Sequence, residues 1–178
     1  DDGELGCGGT VARLLEEGSA VYFAVFSTCE ESVPAGYPSD VLRREFLAVM
    51  EHYGIPEERV SIFDFPVRNF SAHRQEILEK LVALNRAIAP DLVLAPSLHD
   101  VHQDHHTIAE ETIRAFKRTS ILGYEEPWNN LKFNNQVYFA LEERHLRSKI
   151  QAIACYQSQG KRPYTSEDDR SEEHTSEL

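Results

Sequence analysis

Apolar positions along the chain fall into two kinds of segment that take turns. Residues 20–27, Ala-Val-Tyr-Phe-Ala-Val-Phe-Ser, are almost unbroken apolar sequence. A run that short, rich in β-branched and aromatic residues, predicts a strand buried on both faces. Residues 60–65, 92–95 and 120–124 predict three more strands, and 136–141 is a further strand candidate. Between them the spacing becomes helical. A short helix is expected over 9–17, stopped by Gly18. Ser39 or Asp40 can cap a second helix, whose inner face would carry Val41, Leu42, Phe46, Val49 and Met50. Ser71 opens a third, reaching Ala89 before Pro90, with Ile77, Leu78, Leu81, Leu84 and Ile88 inward. Residues 104–118 and 142–156 complete the set, and the proline-rich stretch 30–38 is a loop.

Strands alternating with amphipathic helices predict an α/β fold with a mostly parallel sheet. Ligands of such sheets bind at the carboxyl ends of strands. The loop after residues 92–95 is one such place. Asp1-Asp2 would be another if a strand preceded it.

Composition narrows the class. The 178 residues are 41% hydrophobic and 27% charged, ordinary for a soluble globular domain. No apolar run approaches the roughly 20 residues of a membrane helix, so membrane insertion is not expected. A net charge of −12 argues against nucleic acid or an anionic membrane as partner. Three scattered cysteines, Cys7, Cys29 and Cys155, form neither a disulfide framework nor a CxxC site. They fit a reducing compartment, and a cytoplasmic location is expected. Homo-oligomerisation is left open.

Both ends look unnatural. The chain opens on Asp1-Asp2 without an initiator Met, so its natural start is expected upstream. Residues 170–178, Arg-Ser-Glu-Glu-His-Thr-Ser-Glu-Leu, match the translation of a common sequencing adapter and are expected to be non-native. One domain is therefore expected over 1–169.

The sharpest chemical signal is Pro96-Ser97-Leu98-His99-Asp100-Val101-His102-Gln103-Asp104-His105-His106. Four of the eight histidines and two aspartates fall within eight residues. Imidazole and carboxylate are ordinary zinc ligands. His102 and His105, three apart at a helix start, can face one point. Asp100 and Asp104 can accept a bond from the second ring nitrogen of a histidine and so fix its tautomer. A solvated loop capping the next helix is the plainer alternative.

Adjacent acids such as Asp1-Asp2 are weak evidence alone. They gain weight from the Gly6-Cys7-Gly8-Gly9 turn expected to lead into a helix, which would bring backbone N–H groups close to a cleft. That turn is not a dinucleotide fingerprint, because G-x-G-x-x-G needs glycine where Val11 stands. Nicotinamide or flavin is therefore not expected.

Together the opening Asp1-Asp2-Gly3-Glu4-Leu5-Gly6-Cys7-Gly8-Gly9-Thr10 and the run His102-Gln103-Asp104-His105 resemble the two motifs of the LmbE/PIG-L family of zinc-dependent N-acetyl-sugar deacetylases. The resemblance extends to about Tyr164, through Tyr124-Glu125-Glu126-Pro127-Trp128 and Cys155-Tyr156-Gln157-Ser158-Gln159. It implies a Rossmann-like three-layer fold with the first strand missing. It implies Asp1 as general base, Asp2 and His105 as ligands of one Zn2+, His102 as oxyanion stabiliser or acid, and Asp104 as the group that orients it. The family's remaining ligand, the histidine of H-P-D-D, would lie two positions before Asp1. The chain as given is therefore expected to be an impaired enzyme. Arg68 and Trp128 are candidate substrate contacts, for a cleft and a sugar ring respectively. The expected substrate is a small acetylated sugar conjugate of the N-acetylglucosamine type. The alternatives are a non-catalytic carbohydrate-binding module, or a metal hydrolase acting on another ester or phosphate.

Overall fold

The computed structural model describes residues 1–132 and 134–160. The expected adapter-derived segment 170–178 lies outside them. In chain order the elements are α1 (Asp2–Glu16), β1 (Phe23–Val25), α2 (Val41–His52), β2 (Val60–Ile62), α3 (Arg74–Ile88), β3 (Leu92–Pro96), α4 (Gln103–Ala115), β4 (Ser120–Tyr124) and α5 (Glu143–Ala154), with short 3-10 turns between. The fold is α/β, as the alternating pattern predicts. The strands form two parallel pairs, β1 with β2 and β3 with β4. In the second pair Leu92 faces Ser120 and Pro96 faces Tyr124. The described residues divide into two compact units, one of residues 1–64 and 138–160, the other of residues 65–132 and 134–137.

The first unit is built on α1 packed against α5. α1 begins at Asp2, not at residue 9, and runs through the glycine-rich stretch that the sequence reading makes a turn. Cys7 kinks it, with φ −145° and ψ 20°. Intrinsic propensity disfavours glycine in a helix by roughly 1 kcal/mol per residue, and here packing overrides it. A Cβ on Gly8 would lie 2.9 Å from the Tyr53 hydroxyl and 3.1 Å from Lys149 Cγ. The absent side chain is what lets α5 lay the stem of the fully buried Lys149 over α1. Gly18 stops the helix as expected: at φ +85° it allows Ser19 N–H to reach Leu14 O and Gly18 N–H to reach Leu15 O. Phe46, Val49 and Met50 bury the inner face of α2. Asp40 precedes that helix but pairs with Arg44 and makes no side-chain cap bond. The buried Glu45 carboxylate accepts bonds from Ser158 N–H at 2.8 Å and Ser158 O–H at 2.6 Å, tying the chain after α5 to α2.

The second unit packs α3 on α4 beside the β3–β4 pair. Ile77 and Leu81 of α3 and Ala109 and Ala115 of α4 are buried, in step with the helical period. Glu111 is fully buried but held by Arg74 Nε and Arg114 Nη1, each at 2.7 Å. A buried carboxylate needs such pairing.

Two further expectations are corrected. Ser71 lies inside a 3-10 turn (Phe70–His73), and α3 starts only at Arg74. Residues 136–141 form no strand. Val137 and Tyr138 are more than half exposed, so β-branched and aromatic composition found no ladder to join there. No described helix is long and apolar enough to cross a membrane.

Candidate active site

The loop after β3 carries the histidines, at the strand end where α/β sheets place ligands. Ser97 starts it: its hydroxyl accepts the His99 N–H at 3.1 Å, and its carbonyl accepts the Asp100 N–H at 3.1 Å. That turn drives the Asp100 side chain inward, where it is 4% exposed as a residue. Its two oxygens divide their work. Oδ1 accepts the His102 backbone N–H at 2.7 Å, and Oδ2 lies 2.8 Å from His105 Nδ1.

This division sets the chemistry of His105. With a carboxylate on Nδ1, the neutral ring carries its proton there and its lone pair on Nε2, the form in which histidine ligates zinc. His102 is set the opposite way. It is the N-cap of α4, and its Nδ1 accepts the Asp104 backbone N–H at 3.3 Å. Its neutral ring then carries the proton on Nε2 and is a donor there. The two rings lie 4.4 Å apart at 32°. Adjacent histidines thus present one acceptor and one donor nitrogen.

Asp104 sits in the first turn of α4, where a carboxylate also suits the helix dipole. Its carboxylate accepts the backbone N–H of Arg68 and, at 3.1 Å, that of Phe70. It therefore secures the segment ahead of α3, while its own main-chain N–H meets His102. Arg68 adopts φ +65°, a left-handed conformation that costs a non-glycine residue about 1 kcal/mol or more. The Asp104 bond helps hold it there. The Arg68 side chain is exposed, and Trp128 is 39% exposed. Exposed His99 forms no part of this core, and His106 faces Glu110 at 3.5 Å.

One residue without a role in the sequence reading joins the cluster. Glu126 is 1% exposed, and its Oε2 lies 3.7 Å from His105 Nδ1. The loop after β4 is folded around it. Asn129 Nδ2 donates to Glu126 Oε2 at 3.0 Å, and Asn130 Oδ1 accepts the Glu126 N–H at 3.0 Å. Its sequence signal was the stretch Tyr124-Glu125-Glu126-Pro127-Trp128, with a pair of acids just past a strand. Nothing local says which of the two turns inward.

Asp1 and Asp2 belong to the other unit, at the start of α1, where acids favour the helix dipole. Burial, together with Glu4 and Asp2, pushes the Tyr156 phenol well above its usual value.

Comparison with known proteins places this geometry in a family. The curated protein described as "Uncharacterized deacetylase YaiS", from Escherichia coli, is 24% identical over 166 residues, covering 89% of this chain and 86% of that one. The conserved protein TT1542 from Thermus thermophilus superposes with a TM-score of 0.72 at 21% identity, over 98% of this chain and 81% of that one. The N,N'-diacetylchitobiose deacetylase from Pyrococcus horikoshii superposes with a TM-score of 0.71 at 17% identity, over 98% of this chain and 70% of that one. The fold is that of LmbE-like proteins. Residues 1–116 match the model of the PIG-L family, described as GlcNAc-PI de-N-acetylase, and the chain belongs to that family.

Proposed function

We propose that this chain is a zinc-dependent hydrolase that removes an N-acetyl group from an N-acetylglucosamine-type sugar conjugate. The observation that carries the reading is the opposed settings of two neighbouring rings: His105 Nδ1 faces the Asp100 carboxylate, which leaves Nε2 as the acceptor, and His102 Nδ1 accepts the Asp104 N–H, which leaves Nε2 as the donor. Family membership and the deacetylase relatives support this reading of the reaction type, and the family's description together with the diacetylchitobiose deacetylase favours an N-acetylated sugar.

The donor set suits zinc: a carboxylate-supported imidazole from His105, with Asp2 as the second ligand by its family position. Zinc bound there supplies a Lewis acid that polarises the amide carbonyl and lowers the pKa of water. Asp1, also assigned by family position, accepts the proton that water loses as its oxygen bonds to the carbonyl carbon. His102 Nε2–H donates to the developing oxyanion. The C–N bond then breaks, the proton passes to the leaving nitrogen, and the products are acetate and a free amine. Arg68 and Trp128 are assigned to substrate contact, by a guanidinium hydrogen bond and by stacking on the sugar ring.

Two variants, each made in a chain that carries His-Pro ahead of Asp1, test the assignment. His105→Ala is expected to lose zinc in a chelator-competition titration. His102→Ala should keep zinc while acetate release from an N-acetylglucosamine conjugate falls by about 10²- to 10³-fold. Wild-type zinc binding and turnover in both would refute it. A chain that binds the sugar but neither zinc nor the acetamide would instead be a non-catalytic binding module.

A further inference from the structure

We infer that Glu126 is a positioning residue for His105, a second buried carboxylate that holds the imidazole in its ligating tautomer alongside Asp100. The inference deepens the metal reading above and rests on it.

Three features point to this role. Glu126 approaches the same nitrogen that Asp100 engages, with Oε2 3.7 Å and Asp100 Oδ2 2.8 Å from His105 Nδ1. Both carboxylate side chains are 1% exposed, so their charges act on the ring with little screening by water. The two acids also come from different loops that are fastened together. Asp100 forms a bridge with Asn130, and the Val101 N–H reaches Asn129 O at 3.0 Å. Asn129 and Asn130 are the same residues that fix the Glu126 carboxylate and its N–H. A buried carboxylate costs folding energy unless something recovers it. Here the surrounding turn serves to aim it at His105 Nδ1.

In physical terms, negative charge on that side favours the Nδ1 proton and leaves the lone pair on Nε2. It also raises the basicity of Nε2 toward a cation. Glu126 makes no bond to substrate in this scheme.

The test uses Glu126→Gln, which keeps the shape and removes the charge, and Asn129→Ala, which releases the carboxylate without touching it. Ring nitrogen chemical shifts of His105 in the metal-free protein report the tautomer. Competition with a chromophoric chelator reports zinc affinity. Glu126→Gln is expected to lower the Nδ1–H population and to weaken zinc by about 10- to 100-fold, with unchanged circular dichroism. Asn129→Ala should shift both readings the same way by less. A wild-type tautomer and wild-type zinc affinity in Glu126→Gln would overturn the inference. So would loss of zinc as complete as in His105→Ala, because Glu126 would then be a ligand itself. Should Glu126→Gln fail to fold, Asn129→Ala decides by the same two readings. If His105→Ala binds zinc like the wild type, or the wild type binds none, the metal reading falls. The tautomer measurement then still decides the role of Glu126.

Discussion

Asp100→Asn is the most informative single change, because it alters no shape and reverses one hydrogen-bond polarity. The wild-type carboxylate accepts two bonds, from His102 N–H at 2.7 Å and from His105 Nδ1 at 2.8 Å. An asparagine amide has one accepting oxygen and one donating nitrogen. The backbone N–H of His102 cannot become an acceptor, so it claims the oxygen. The amide nitrogen must then face His105 Nδ1. The amide N–H drives the ring to move its proton to Nε2, against the pull of Glu126, which removes the lone pair needed for a metal. Restoring the ligating tautomer would set two buried donors against each other, at a cost of about 1–3 kcal/mol. At 1.4 kcal/mol per decade this corresponds to zinc binding weakened by roughly 10- to 100-fold. Stability should fall by a similar 1–3 kcal/mol, since two charge-assisted bonds become neutral ones. Asp100→Ala should cost more than Asp100→Asn, because the His102 N–H loses its acceptor and the bond to His105 Nδ1 is lost as well. The assays are chelator competition, urea denaturation, and the His105 ring shifts in metal-free protein. Native zinc affinity in Asp100→Asn, with the proton still on Nδ1, would refute the reasoning.

Two other outcomes are expected from the first unit. Gly8→Ala forces a Cβ to within 2.9 Å of the Tyr53 hydroxyl and 3.1 Å of Lys149 Cγ. It should lower stability by about 1–3 kcal/mol in a denaturant titration, and an unchanged midpoint would show that α1 and α5 can separate freely. Tyr156, raised by burial and by Glu4 and Asp2, stays neutral in the fold at pH values where the unfolded chain ionises it. Its contribution is full below the ordinary phenol value near 10 and is lost as pH rises beyond it, at up to about 1.4 kcal/mol per pH unit. Tyr156→Phe should flatten that alkaline decline; an equally steep decline would place its origin elsewhere.

The pattern of apolar residues determined the order of helices and strands, because burial of one helix face, or a short apolar run along a strand, leaves a pattern that is local in sequence; the strand of the 20–27 run is nevertheless only Phe23–Val25 and is not buried on both faces. The same holds for the stop at Gly18 and for the His102 to His105 run, whose spacing and place after a strand are visible residue by residue. Tertiary structure alone decided the rest. The glycine-rich opening became helix because α5 packs where glycine side chains are missing. Residues 136–141 stayed unpaired because a strand exists only if another backbone lies beside it. The tautomers of His102 and His105 depend on which acceptor and donor reach each nitrogen. Asp104 could be named from the motif, but not its grip on the Arg68 and Phe70 backbone. Glu126 lies 21 positions beyond His105 in the chain, and only the turn built by Asn129 and Asn130 brings its charge to the imidazole.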